Sequence, residues 1–290
     1  MDTYIDSRIV ILNSSHAILL NGSYKSDVNF NFTGLIKNED NIQQIQVSLV
    51  NAQIPYSFYT INYTNNSFKY YLSELKIIDI PVGNYNATSL INIMNTLIGD
   101  SDFSITISRI KGIVKFAYPN DFIIYTDNDY SIGNILGFEL NNIYNSNIGT
   151  IYAPYPLSIL GYKRLEIYTR CLSTNNYSSL SSGMNCLLSV IPIDVPPFGL
   201  ICYNNYTDTK YILNDNTLDS IDIQIKGEDD NYINFNNIDW CMKLKIDLTR
   251  KYNKISMPLI LNSNIKPDEQ KKENENIIKN DFDLLTYDTK

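Results

Sequence analysis

Two stretches in the last quarter of the chain decide the reading: Leu218-Asp219-Ser220-Ile221-Asp222-Ile223-Gln224-Ile225-Lys226 and Cys241-Met242-Lys243-Leu244-Lys245-Ile246-Asp247-Leu248. In the first, Ile221, Ile223 and Ile225 fall on one face. In the second, Met242, Leu244, Ile246 and Leu248 alternate with Lys243, Lys245 and Asp247. A period of two is that of a strand with one face buried and one wet. Gly227-Glu228-Asp229-Asp230-Asn231 between them has the composition of a turn. The two stretches are therefore expected to pair as an antiparallel hairpin, 219–226 with a return over 233–248. Strands of this kind indicate a sandwich rather than a parallel α/β sheet.

Working outward, Val28, Phe30 and Phe32 alternate with Asn29, Asn31 and Thr33, and Ile45, Val47 and Leu49 alternate with Gln44, Gln46 and Ser48 before Ile54-Pro55 closes that strand. Tyr162–Cys171 and Asn185–Ile193 are further strands. One segment breaks the pattern. Leu90, Ile91, Met94, Leu97 and Ile98 recur with helical spacing, Asn86 or Thr88 is placed to cap the start, and Gly99 to end the helix. A hairpin across Lys111-Gly112 joins Ser104–Arg109 to Ile113–Ala117, and Ile132–Leu140 follows. Residues 68–150 thus read as a small α+β unit inserted between strands. From about Ser256 the chain turns polar and mixed in charge, the composition of a tail.

Composition narrows the function classes. The chain has 290 residues and a net charge of −8, which opposes general nucleic-acid binding because that requires clustered Lys and Arg. Only 19% of residues are charged, so the 38 Asn and 23 Tyr must supply much of the polar surface. No apolar run approaches the roughly 20 residues of a membrane span, and the first residues lack the basic region of a secretory leader.

Candidate chemistry is sparse. Cys171, Cys186, Cys202 and Cys241 form no CxxC pair and are expected as buried, reduced thiols. The single histidine, His16, offers a thiol-protease dyad only if the fold brings a cysteine to it. Glu228, Asp229 and Asp230 lack the alternating ligands of a calcium loop and suit a solvated turn. Gly133-Asn134-Ile135-Leu136-Gly137 is not a phosphate loop, and Val195-Pro196-Pro197-Phe198-Gly199 reads as a rigid connection. Tyr-rich loops at Tyr56–Tyr63 and Tyr152–Tyr155 suit protein contacts, the alternative being that they reflect only AT-rich codon usage. No catalytic, metal or cofactor-binding residue is assigned, and no cofactor or enzyme activity is expected.

The order of segments carries a resemblance. Val28–Ile36, Ile42–Asn62, Ile80–Asn95 with its following hairpin, Asn134–Phe138, Ser189–Tyr203 and Leu218–Asp247 resemble, in that series, the penton (minor capsid) proteins of virophages and polinton-like double-stranded DNA viruses. Ser48–Pro55, Ile80–Asn86 and Ile221–Trp240 are its most specific pieces. The resemblance implies a mainly β fold, a single eight-stranded antiparallel jelly-roll sandwich with a small inserted α+β domain. It implies an N-terminal arm (1–26), a jelly roll in two parts (27–67 and 151–255), the inserted domain (68–150) and a polar C-terminal tail (256–290). It also implies a homopentameric capsomer at the fivefold vertices of an icosahedral capsid. The inserted domain would project outward, the major capsid protein would be a partner, and assembly would take place in the host cytoplasm. The alternative is a virion-surface attachment module that binds a host receptor or glycan through the inserted domain.

Overall fold

In a computed structural model, residues 3–20, 24–36, 41–172, 176–177, 184–207, 209–215 and 217–251 are described, so the tail expected over 256–290 lies outside the described residues. The chain begins with β1 (Thr3–Asn13), a 3-10 turn (Ser14–His16), β2 (Ile18–Leu19), β3 (Asp27–Ile36) and β4 (Ile42–Pro55). A middle block follows: β5 (Ser67–Tyr71), β6 (Leu75–Asp79), α1 (Ala87–Ile98), β7 (Ser104–Ile107), β8 (Ile113–Ala117), β9 (Ile123–Tyr125), α2 (Gly133–Leu136), β10 (Ile143–Asn145) and β11 (Thr150–Pro156). Then come β12 (Arg164–Tyr168), the short β13 (Asn176–Tyr177) and β14 (Met184–Asn185), β15 (Leu187–Pro192) and β16 (Leu200–Asn204). β17 (Tyr211–Ile212), β18 (Leu218–Lys226) and β19 (Cys241–Lys251) complete the chain.

The fold is mainly β. One sheet runs β1-β19-β4-β16, with β17 also on β4, and a second runs β15-β12-β18-β3-β2. Every pairing in them is antiparallel. The first strand lies beside the last, and β3 beside β18, which is the jelly-roll order. The alternation seen in sequence sets the faces. Met242, Leu244, Ile246 and Leu248 of β19 and Ile221, Ile223 and Ile225 of β18 all point into one core with Val28, Phe30, Ile45, Leu49, Leu165 and Ile167.

Two expectations are corrected. The stretches 219–226 and 233–248 do not form a hairpin: β18 pairs with β3 and β12, whereas β19 pairs with β1 and β4. The acidic turn does fold back briefly, with the Gly227 N–H on the Asn231 carbonyl (2.9 Å) and the Ile233 N–H on Ile225 (3.2 Å). Beyond that, burial of Phe235 and Trp240, with positive φ at Asn236 and Asn237, carries the chain over to the other sheet. Period-two alternation is satisfied equally by strands that are neighbours and by strands that face each other across a core.

The second correction concerns residues 1–26. Instead of reaching out as an arm, Thr3–Asn13 pairs along its whole length with β19. Ile9-Val10-Ile11-Leu12 is apolar on both faces, so its alternation is muted in sequence, although Val10 and Leu12 are buried in the sandwich core.

The middle block, entered after β4 and left before β12, has its own core running from Ile61 to Ala153. A four-stranded sheet, β10-β9-β5-β6, a three-stranded sheet, β11-β8-β7, and α1 enclose it. Asn86 caps α1 in a capping box with Ser89, and Gly99 ends it in the left-handed region. The Asn95 side chain both donates to the Ile105 carbonyl (3.0 Å) and accepts from its N–H (2.9 Å), holding β7 against the helix. Phe68, Tyr70, Phe103, Phe116, Phe122 and Phe138 fill the interior, with successive ring centroids 5.3–6.3 Å apart. Among the described residues, no helix is long and apolar enough to cross a membrane.

Candidate assembly surface

Among the described residues, β1 is an edge strand whose one strand neighbour is β19. A free strand edge exposes unpaired backbone groups and tends to be covered or protected. On the outward face of this edge, Ile5, Ile9 and Ile11 are 63%, 52% and 67% exposed. Ile9 and Ile11 stand opposite Lys245 and Lys243 on β19. The three isoleucines lie along one face of this edge, interrupted by Ser7 and flanked by charge.

The charges beside it are held in place. Asp247 lies on the outer face of β19 yet is buried, accepting from the Ser7 hydroxyl (2.6 Å) and lying 2.8 Å from the Lys210 ammonium and 3.4 Å from that of Lys245. Burial by itself would raise its carboxyl pKa. The hydrogen bonds from Lys210 and Ser7, with the Lys245 charge, outweigh burial and hold it below the ordinary carboxylate value. At the margin of the sandwich, Arg8 donates to the Leu35 carbonyl of β3, and Arg250 lies 3.4 Å from Asp6. These contacts tie β1 to both sheets, so the isoleucine row is carried on a fixed strand.

The remaining candidates from the sequence are dispersed. His16 sits exposed on the 3-10 turn near Asp239, and among the described residues no hydrogen bond joins it to a cysteine. All four cysteines are free, but Cys202 is exposed and the others half-buried, because Cys202 falls on the outward face of β16 beside buried Ile201. Burial, followed by the Asp222 charge, pushes the thiols of Cys171 and Cys186 up, away from the reactive thiolate. In the acidic turn, Asp229 accepts from the Tyr162 hydroxyl (2.9 Å) and Asp230 pairs with Lys226 (2.8 Å). Among the described residues, no group of three or more His, Cys, Asp or Glu side chains is arranged to hold a metal ion.

Gly133–Gly137 forms α2 and its left-handed cap, packed against β11. In the Pro196-Pro197 connection, Phe198 has positive φ and its N–H donates to the Tyr56 carbonyl (2.9 Å). The Tyr-rich loops divide: Tyr56 is buried and stacked on Phe58, whereas Tyr63, Tyr152 and Tyr155 are exposed. Ile5, Ile9 and Ile11 share the outward face of β1 with Thr3, Ser7 and Asn13. In sequence they are masked, because Ile9–Leu12 is apolar at every position and shows no period of two.

No protein-family model matches the chain, and no curated protein matches it. Among solved structures, the chain is similar to a selenomethionine-labelled mavirus penton protein at 9% identity, covering 83% of this chain and 99% of that one with a TM-score of 0.46. It is also similar to a chain of the Sputnik virophage structure at 10% identity, covering 87% and 100%, with a TM-score of 0.39.

Proposed function

We propose that this chain is a structural virion protein, five copies of which form the capsomer at the fivefold vertices of an icosahedral capsid. Residues 3–55 and 164–251 carry the strands of the jelly roll that stands in the shell, and residues 61–156 form the domain that projects outward. The major capsid protein of the same virion is its second partner, and assembly takes place in the cytoplasm of the infected cell. No catalysis is part of this reading.

The observation that carries it is the set Ile5, Ile9 and Ile11, exposed on a jelly-roll edge strand that has no second strand neighbour among the described residues. Fully burying an isoleucine is worth about 1.5–3 kcal/mol, so a second subunit lying against this edge gains substantially. A ring places each such edge against a different surface of the next copy, a heterologous contact that closes after a fixed number of subunits. The ordered series of segments that resembles penton proteins supports the vertex in particular. Native mass measurement of the full-length protein tests it. A species at five times the 33.3 kDa chain mass is expected. A protein that remains monomeric both alone and with the major capsid protein, and is absent from virions, overturns it.

A further inference from the structure

The outer face of the three-stranded sheet in the middle block is basic. From Ser104 to Tyr118 there are three basic residues, Arg109, Lys111 and Lys115, and no acidic one, in a protein of net charge −8. The β11 segment Thr150–Pro156, which completes the sheet, carries no charge at all. Register places Thr106, Lys115 and Tyr152 side by side across β7, β8 and β11. Between Tyr152 and Pro156 the β11 strand slips out of register with β8.

A cavity of about 590 Å³ opens here, lined by Thr106, Ser108, Lys111, Lys115 and Tyr152 over an apolar floor that includes Ile113. Its size is that of a small-ligand pocket. Among the described residues neither lysine has a carboxylate partner, and the Lys115 ammonium lies 5.7 Å from the centre of the Tyr152 ring.

We propose that this cavity binds an acidic saccharide. Lys111 and Lys115 take its carboxylate or sulfate, the Thr106 and Ser108 hydroxyls take its ring hydroxyls, and Tyr152 with the apolar floor packs against the carbon face of the sugar. Two unpaired ammonium groups select an anion. The exposed aromatic ring and apolar floor call for an organic body beyond a bare ion. The rest of the chain, being acidic, disfavours a long nucleic acid at the same place.

The test uses the full-length protein and ligand-observed NMR with three probes: sialyllactose (carboxylate), a heparin-derived disaccharide (sulfate) and neutral lactose. One or both charged probes should bind at low salt, weaken at high salt and leave lactose silent, and the one that binds identifies the anion. The double variant K111Q/K115Q should bind about tenfold more weakly or worse, the loss expected for one or more charge-assisted contacts. Y152A, which changes an exposed side chain, should weaken binding while leaving the lysines in place. Equal binding of lactose, binding unaffected by these substitutions, or no binding of any probe up to about 10 mM overturns the proposal. The assembly reading fails separately: its readout is native mass, which these surface substitutions leave unchanged.

Discussion

The indole Nε1 of Trp240 donates to the Lys25 carbonyl at 2.7 Å, joining the entrance of β19 in one sheet to the approach to β3 in the other. The Lys25 ammonium returns the contact, reaching the Asn237 carbonyl (2.9 Å) and Asp239 (2.7 Å). Ser14 completes the knot, with its N–H on the Trp240 carbonyl and its hydroxyl accepting from the Trp240 N–H, both at 3.0 Å. One end of the sandwich is fastened here, where the long connection between β18 and β19 arrives.

Replacing Trp240 by Phe leaves the Lys25 carbonyl without this donor and removes buried volume, and we expect a loss of about 2–3 kcal/mol. Urea unfolding measures it. Trp240→Ala should cost about 3–5 kcal/mol, so a loss well under 1 kcal/mol for either variant would mean the knot is dispensable.

Asp247 makes stability depend on acid. Its carboxyl is held below the ordinary value of 3.8 in the folded protein, so as pH falls the unfolded chain takes up the proton first. The stabilisation is complete above about pH 5 and is lost as pH drops toward the folded value. Asp239, lowered by its hydrogen bonds from Lys25 and Ser14, contributes with the same sign. Asp247→Asn should lower stability at pH 7 by about 1–3 kcal/mol and flatten the decline below pH 5, checked by urea midpoints across a pH series.

Gly137 caps α2 at φ +88°, and a Cβ built there would lie 2.0 Å from the Tyr155 carbonyl oxygen. Gly137→Ala therefore forces β11 away from α2 in addition to straining the backbone. Hydrogen exchange should quicken through the middle block (61–153), with the sandwich amides of β18 and β19 still protected. Uniform loss of protection would show that the two cores unfold as one.

Ile9→Lys places a charge in the middle of the proposed contact at a half-exposed position, so the monomer should keep its thermal midpoint. The native mass should fall from five chains to one. An unchanged mass would place the subunit contact elsewhere.

Asn86 and Ser89 form the capping box of α1. Asn86→Ala should cost about 1 kcal/mol, read as a shift in the urea midpoint, and Asn86→Asp should restore most of it.

Local structure was readable wherever it depended on neighbours in sequence. The helix from Asn86 to Gly99, the hairpin across Lys111-Gly112, the buried faces of β3, β4, β18 and β19, and the change of character in the middle block all follow from periodicity and caps. These signals are generated within a few residues of backbone. The sequence also carried the acid-free stretch from Ser104 to Tyr118, though not the arrival of Tyr152 beside it.

Tertiary structure alone decided which strand lies beside which. Alternation states that Ile223 and Ile246 are buried, but not whether their strands share a sheet or face each other across the core, since either arrangement removes the same side chains from water. The choice was made by the burial of Phe235 and Trp240 in the connection and by β1, whose doubly apolar sequence hid its period and which takes the place beside β19. The exposed isoleucine row exists only as a consequence of that placement: sequence supplied the residues, and the fold put them on an edge.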